Sequence, residues 1–103
     1  MMTSKQRAYL ISLAMKENPV VNIGKDGLTP EVTAAAAEAL AARELIKINV
    51  QQNCMEDIRD MAIRLGERTG SEVVQTIGRK IVLYKEGKDD KKKIVLPPAK
   101  KAK

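Results

Sequence analysis

Histidine, phenylalanine and tryptophan are missing from this chain of 103 residues, cysteine occurs once, at Cys54, and the aromatics are Tyr9 and Tyr84 alone. Each absence removes a class of chemistry. Without histidine the common zinc sites and the Ser-His or Cys-His nucleophile pairs cannot be assembled, and one cysteine cannot form an internal disulfide. Catalysis therefore starts from a weak position, and neither a metal nor a cofactor is expected. The mononucleotide fingerprint G-x-x-x-x-G-K-[ST] and the dinucleotide fingerprint G-x-G-x-x-G are absent too. No apolar run approaches the length of a membrane span, and no apolar block near the N-terminus ends in a cleavage-like site, so a cytoplasmic protein without membrane attachment is expected. Hydrophobic residues still make up 44 % of the chain. The core must be aliphatic, built from Ile, Leu, Val, Ala and Met, and the length suits one domain.

Acidic residues are outnumbered, 13 against 19 Lys and Arg, for a formal net charge of +6. The excess is unevenly spread. Residues 1–84 hold 11 basic and 10 acidic side chains, a net of +1, whereas residues 85–103 hold 8 and 3, a net of +5. That last stretch, KEGKDDKKKIVLPPAKKAK, is polar, proline-bearing and lysine-rich. Residues 1–85 are therefore expected to form the domain and residues 86–103 a basic, flexible tail. A basic protein invites a nucleic-acid reading, but in the body of this one the reading must rest on where a few basic residues sit.

Hydrophobic periodicity supplies the elements. Thr3 and Gln6 have capping-box spacing ahead of apolar positions at helical intervals, which predicts a helix over residues 4–17, stopped by Asn18 and Pro19. Residues 20–23 read as a short buried strand. Thr29 followed by Pro30 and Glu31 starts a second helix that runs to about Arg43, with Val32, Ala35, Ala36, Ala39 and Leu40 inward. Residues 45–50 (LIKINV) form a second strand, and Asn53 with Glu56 is expected to cap a third helix that ends near Gly70. Residues 73–77 and 81–84 are then two strands joined by a Gly-X hairpin turn at Gly78, Arg79 and Lys80. The order α-β-α-β-α-β-β is that of an α/β fold with a four-stranded mixed sheet and three helices, because helical crossovers make strands parallel and the final hairpin is antiparallel.

Topology then gathers charge. Strand-to-helix connections in parallel units share the C-terminal edge of the strands, which places GKDG, residues 24–27, beside the end of the second strand. A third strand parallel to the first two brings the hairpin turn there as well. Taking the link from the first helix to the first strand as two residues, that helix runs antiparallel to the strand and carries Lys5 and Arg7 to the same edge. Lys5, Arg7, Lys25, Arg79 and Lys80 would converge, while Lys16 and Arg43 lie at the other end. Backbone N–H groups of a glycine turn at a helix start suit a phosphate, and G-x-x-G is the loop with which KH domains clamp a nucleic-acid backbone. A plain tight turn with positive φ at both glycines accounts for the same four residues.

Taken together, VVNIGKDGLT, the helix after it, ELIKINV and QTIGRKIVLYK resemble the CRM domain, the chloroplast RNA splicing and ribosome maturation module, in its bacterial stand-alone YhbY-like form. IVLP near the end is similar to the family's short tail motif. The resemblance implies a fold similar to the C-terminal domain of translation initiation factor three and RNA binding through the G-x-x-G loop and adjoining basic surface. For bacterial members it implies association with the maturing large ribosomal subunit and its ribosomal RNA. On this likeness the loop glycines are Gly24 and Gly27, the loop cation is Lys25 and the strand lysine is Lys47. Asp26 suits an Asp-Gly turn, yet its charge opposes a phosphate unless it points away. Lys47 can equally be the solvated face of a half-buried strand, and Arg79 and Lys80 ordinary hairpin residues. With two tyrosines, base stacking cannot dominate, so backbone and shape are the expected targets of a monomeric protein.

Other function classes fit less well. An enzyme would use Cys54 near a helix N-terminus or the pair Glu56 and Asp57, but neighbouring helix positions diverge and first-turn acids are dipole partners. A protein-binding adaptor within a ribonucleoprotein, a general RNA chaperone and a splicing-type factor remain open.

Overall fold

Thr3 opens the first helix with a complete capping box, its hydroxyl accepting from Gln6 N and its own N–H donating to Gln6 Oε1, each at 3.1 Å. The computed structural model describes residues 3–87. Helix α1 (Ser4–Ala14) leads to strand β1 (Val21–Ile23), helix α2 (Pro30–Arg43), strand β2 (Leu45–Val50), helix α3 (Ile58–Thr69), and strands β3 (Glu72–Ile77) and β4 (Lys80–Tyr84). This is the predicted α/β order with four strands and three helices. The tail read from residues 86–103 lies, from 88 on, outside the described residues.

The strands stand in the order β1-β2-β4-β3. β1 and β2 are parallel, and β4 is antiparallel to both β2 and β3, so β3 points the same way as β1 and β2. The α3 crossover leaves a gap one strand wide that β4 fills. Alternation along the strands separates two cores. Val21, Ile23, Ile46, Ile48, Val50, Ile81 and Leu83 pack under α2 and α3 with Ala36, Leu40, Met61 and Leu65. Leu45, Val74, Val82 and Tyr84 pack on the other face, under Leu10 and Ala14 of α1. A bulge at Val73 to Gln75 breaks the β3 ladder.

Three strand ends shift by one residue from the sequence reading, to Val21, Glu72 and Lys80, and two helix boundaries differ by more. Helix α1 stops at Ala14 rather than residue 17, because Lys16 and Glu17 bond back to Leu13 and Ala14 in tighter turns. Helix α3 is capped by Asp57, which accepts from Arg59 N at 2.9 Å and Asp60 N at 3.3 Å, and not by Asn53. The far end of the sheet is closed by Glu44, whose backbone adopts φ 68° as the α2 C-cap and whose carboxylate accepts from Gly87 N at 2.7 Å.

Candidate nucleic-acid interface

Strand β1 ends directly in the GKDG turn. Gly27 N donates to Gly24 O at 3.0 Å, with Lys25 and Asp26 exposed at the tip, and the amides of those two residues have no acceptor among the described residues. Thr29 then caps α2 by accepting from Val32 N at 3.2 Å, with Pro30 at the first helical position. The free amides thus stand just ahead of the positive end of a 14-residue helix. Of the two turn glycines Gly27 alone has positive φ, at 70°, so the plain turn with positive φ at both is not what forms. A Cβ there would also meet the Glu56 carboxyl group, whose carbon lies 2.7 Å from the position, so that side chain would have to move.

Glu56 is held in turn by Arg64, with Nη2 to Oε1 at 3.0 Å, and Arg64 also pairs with Asp60 at 3.2 Å. An acid therefore faces the turn, with its charge partly compensated. Gln51 covers the other glycine, its Oε1 lying 3.4 Å from where a Cβ on Gly24 would stand, and its N–H donates to Ile23 O at 2.8 Å.

Arg79 lies at this edge, as the topology predicts, but the structure gives most of its guanidinium other work. Nε donates to Val50 O at 3.0 Å, and Nη2 donates to Gln51 O at 2.6 Å and to Cys54 O at 2.9 Å. Arg79 therefore clasps the segment that follows β2 against the hairpin, and Val50 N returns a bond to Arg79 O at 2.8 Å. Its Nη1 has no partner among the described residues. Gly78 at φ 56° supplies the first corner of the two-residue turn, as a II′ hairpin requires.

Lys47 and Lys80 come together elsewhere, on the α1 face of the sheet, where both line a cleft of about 410 Å³ with Ile11, Met15, Gln75 and Ile77. Lys5 and Arg7 do not join the edge, which corrects the expected convergence of five cations. Arg7 Nη1 donates to the carbonyls of Val73 at 2.9 Å and Val74 at 2.7 Å, filling the bulge near the start of β3, and Lys5 is exposed on the same turn of α1. The link from α1 to β1 is six residues rather than two, so α1 crosses the sheet obliquely from β3 toward β2 instead of lying antiparallel to β1. Arg43 is at the far end, as expected, paired with Glu17 at 3.7 Å.

Cys54 is buried in the core three residues before the Asp57 cap, which rules out the exposed helix-start thiol of the enzyme reading. Glu56 and Asp57 diverge, one to Arg64 and one to the helix cap. Among the described residues no group of histidine, cysteine and acidic side chains could hold a metal ion, and no helix is long and apolar enough to cross a membrane. Sequence reasoning passed over Asn22 and Asn49, which face each other in register with Asn49 Nδ2 donating to Asn22 Oδ1 at 3.2 Å. The signal was their phase, since each alternates with buried residues of its strand.

Residues 2–85 match the CRS1 / YhbY (CRM) domain. The chain belongs to the CRM domain family. Its relatives include "Probable RNA-binding protein YqeI" of Bacillus subtilis, 48 % identical over 97 residues covering 94 % of this chain and all of that one. An "RNA-binding protein" of Haemophilus influenzae is 38 % identical over 90 residues, 87 % of this chain and 91 % of the other. A solution structure of a hypothetical protein from Staphylococcus aureus superimposes with a TM-score of 0.80 at 44 % identity, over 94 % of this chain and all of that one. These CRM relatives are named for binding RNA and for no catalysed reaction.

Proposed function

We propose that this CRM domain binds RNA by its backbone through the turn of residues 24–27 and the basic edge around it, and that it acts in assembly of the large ribosomal subunit. The observation that carries the reading is the pair of free amides at Lys25 and Asp26, set before the α2 N-terminus, with Lys25 itself an exposed cation of the turn. Such a turn offers a phosphate two N–H donors, a dipole and a cation. Arg79 fixes the edge by its bonds to Val50, Gln51 and Cys54 and adds a positive charge there. Asp26 and Glu56 temper the field, which favours positioning of a strand over indiscriminate affinity. The names of the relatives support the RNA partner, and the ribosomal assignment rests on the family resemblance.

The protein is proposed to act as a cytoplasmic monomer, with residues 1–85 as the binding domain and residues 86–103 as a basic tail adding nonspecific affinity. Crosslinking in cells followed by mapping of the bound RNA tests this. Reads concentrated in large-subunit ribosomal RNA are expected. Reads scattered over unrelated messages, or a partner retained after nuclease treatment, would overturn it.

A further inference from the structure

Helix α1 covers only half of its sheet face. Leu45, Val74, Val82 and Tyr84 are buried beneath it, but the hairpin half of the same face is left open. Register places Asn22, Asn49 and Lys80 side by side there, with Lys47 opposite Val82, Val82 opposite Gln75 and Lys80 opposite Ile77. The floor of the cleft is apolar, and its rim carries two ammonium groups that have no acidic partner among the described residues. Ile77, 59 % exposed, and Met15, 77 % exposed, both line this cleft. The Asn22–Asn49 bond uses one donor and one acceptor, so an amide N–H of Asn22 and the carbonyl oxygen of Asn49 still face outward.

We propose that this open half-face is a second RNA contact, taking unpaired nucleotides of a single strand with bases against Ile77 and Met15 and phosphates on Lys47 and Lys80. The proposal rests on the RNA-binding reading and extends it from backbone clamping to contact with bases. Charge selects the occupant: two unneutralised cations flank an apolar floor, which suits a ligand that joins a flat apolar ring to an anion. A volume of about 410 Å³ lies in the range of small-ligand pockets and accommodates a base with its ribose. The amides of Gln75, Asn22 and Asn49 offer donors and acceptors to base edges. Continuity favours the same strand for both sites, because Asn22 and Ile23 lead straight into Gly24 along the exposed edge of the sheet. A paired duplex keeps its bases stacked and cannot insert one beneath α1.

The full chain, labelled for amide and side-chain NMR, is titrated with single-stranded RNA homopolymers and with a duplex of equal length. Single strands are expected to shift Asn22, Lys47, Asn49, Gln75 and Ile77 together with Lys25 and Asp26, whereas the duplex shifts the turn alone. Ile77→Asp should weaken single-strand binding about tenfold with the fold intact by circular dichroism. Lys47→Gln with Lys80→Gln should lower the salt slope by about 0.7 for each lysine. Shifts at Lys25 and Asp26 without shifts on the face would overturn this inference and leave the proposed function standing. Equal response of the face to duplex and single strand would overturn base contact, and silence at both sites would overturn both readings. Concentration-dependent shifts at Met15 and Ile77 without RNA would assign the face to a second copy of the chain and end the proposal.

Discussion

Replacing Arg79 by lysine keeps the charge and removes the fork, which separates the two roles a cation can have at this edge. Lysine cannot reach the carbonyls of Val50, Gln51 and Cys54 at once, as the guanidinium does at 3.0, 2.6 and 2.9 Å. Hydrogen bonds from a charged donor contribute about 1.5–3 kcal/mol each, so a plain sum would reach about 4.5–9 kcal/mol. That sum is too large here. The bond to Gln51 is exposed, and water can replace it, while lysine retains one donor for the part-buried pair. A loss of about 2–3 kcal/mol is expected for Arg79→Lys and about 3–4 for Arg79→Ala, against a total stability of about 5–15 kcal/mol for a small domain. At about 4–8 °C for each kcal/mol, melting should fall by at least about 8 °C. Urea unfolding followed by circular dichroism measures the loss. Amide exchange localises it, because the Cys54 N–H bonded to Gln51 O should lose protection first. A loss below about 1 kcal/mol with Cys54 protection unchanged would refute the clasp. RNA affinity of the folded Arg79→Lys variant should stay within a few-fold of the parent, since the cation remains. A collapse of affinity would mean that Arg79 acts on RNA directly through Nη1. Arg43→Glu, in contrast, disturbs one exposed pair at 3.7 Å and should cost less than about 1 kcal/mol.

Gly27→Ala should cost about 1–2 kcal/mol for its left-handed backbone plus up to about 1 kcal/mol for pushing Glu56 off Arg64, and the second part should vanish in a Glu56→Ala background. Strict additivity in that double-mutant cycle, read by urea unfolding, would show that the carboxylate gives way freely. Arg7→Ala removes two charged hydrogen bonds to bulge carbonyls and should destabilise by about 1–3 kcal/mol while leaving RNA affinity unchanged in filter binding. Weaker binding by the folded variant would return Arg7 to the interface. Asp26→Asn should strengthen RNA binding a few-fold at low salt, with the gain fading as salt rises. An unchanged affinity at low salt would place the phosphate away from the turn.

Strand and helix identities were legible because each rested on a local rule: the capping box at Thr3, Pro30 after Thr29, and alternation in LIKINV. That the 24–27 turn and the end of β2 share an edge was legible as well, since parallel strands put their strand-to-helix loops at one end. Side-chain partners were not. Arg7 and Arg79 carry the same charge in the sequence as Lys25, but they bind backbone carbonyls at a bulge and in a post-strand loop, features that no periodicity announces. Asn53 has the spacing of a cap, yet the Arg79 clasp on Gln51 and Cys54 holds that segment out of the helix and passes the cap to Asp57. The course of α1 was misjudged because it depends on a six-residue link whose path is set by packing on Leu45, Val82 and Tyr84.

The central position of β4 bears on how this protein comes into being. Among the described residues it is the last strand in chain order, yet β2 and β3 have no bond to one another and meet only through it. Ile81 and Leu83 complete one core while Val82 and Tyr84 complete the other, so neither layer can consolidate on the earlier part of the chain alone. Folding must wait for contacts between the chain's middle and its end, a demanding order of events for a small domain. A product cut short before Arg79 would lack both the Arg79 clasp and the Lys80 and Val82 part of the cleft. Quality control therefore meets an incomplete chain in which neither core has closed.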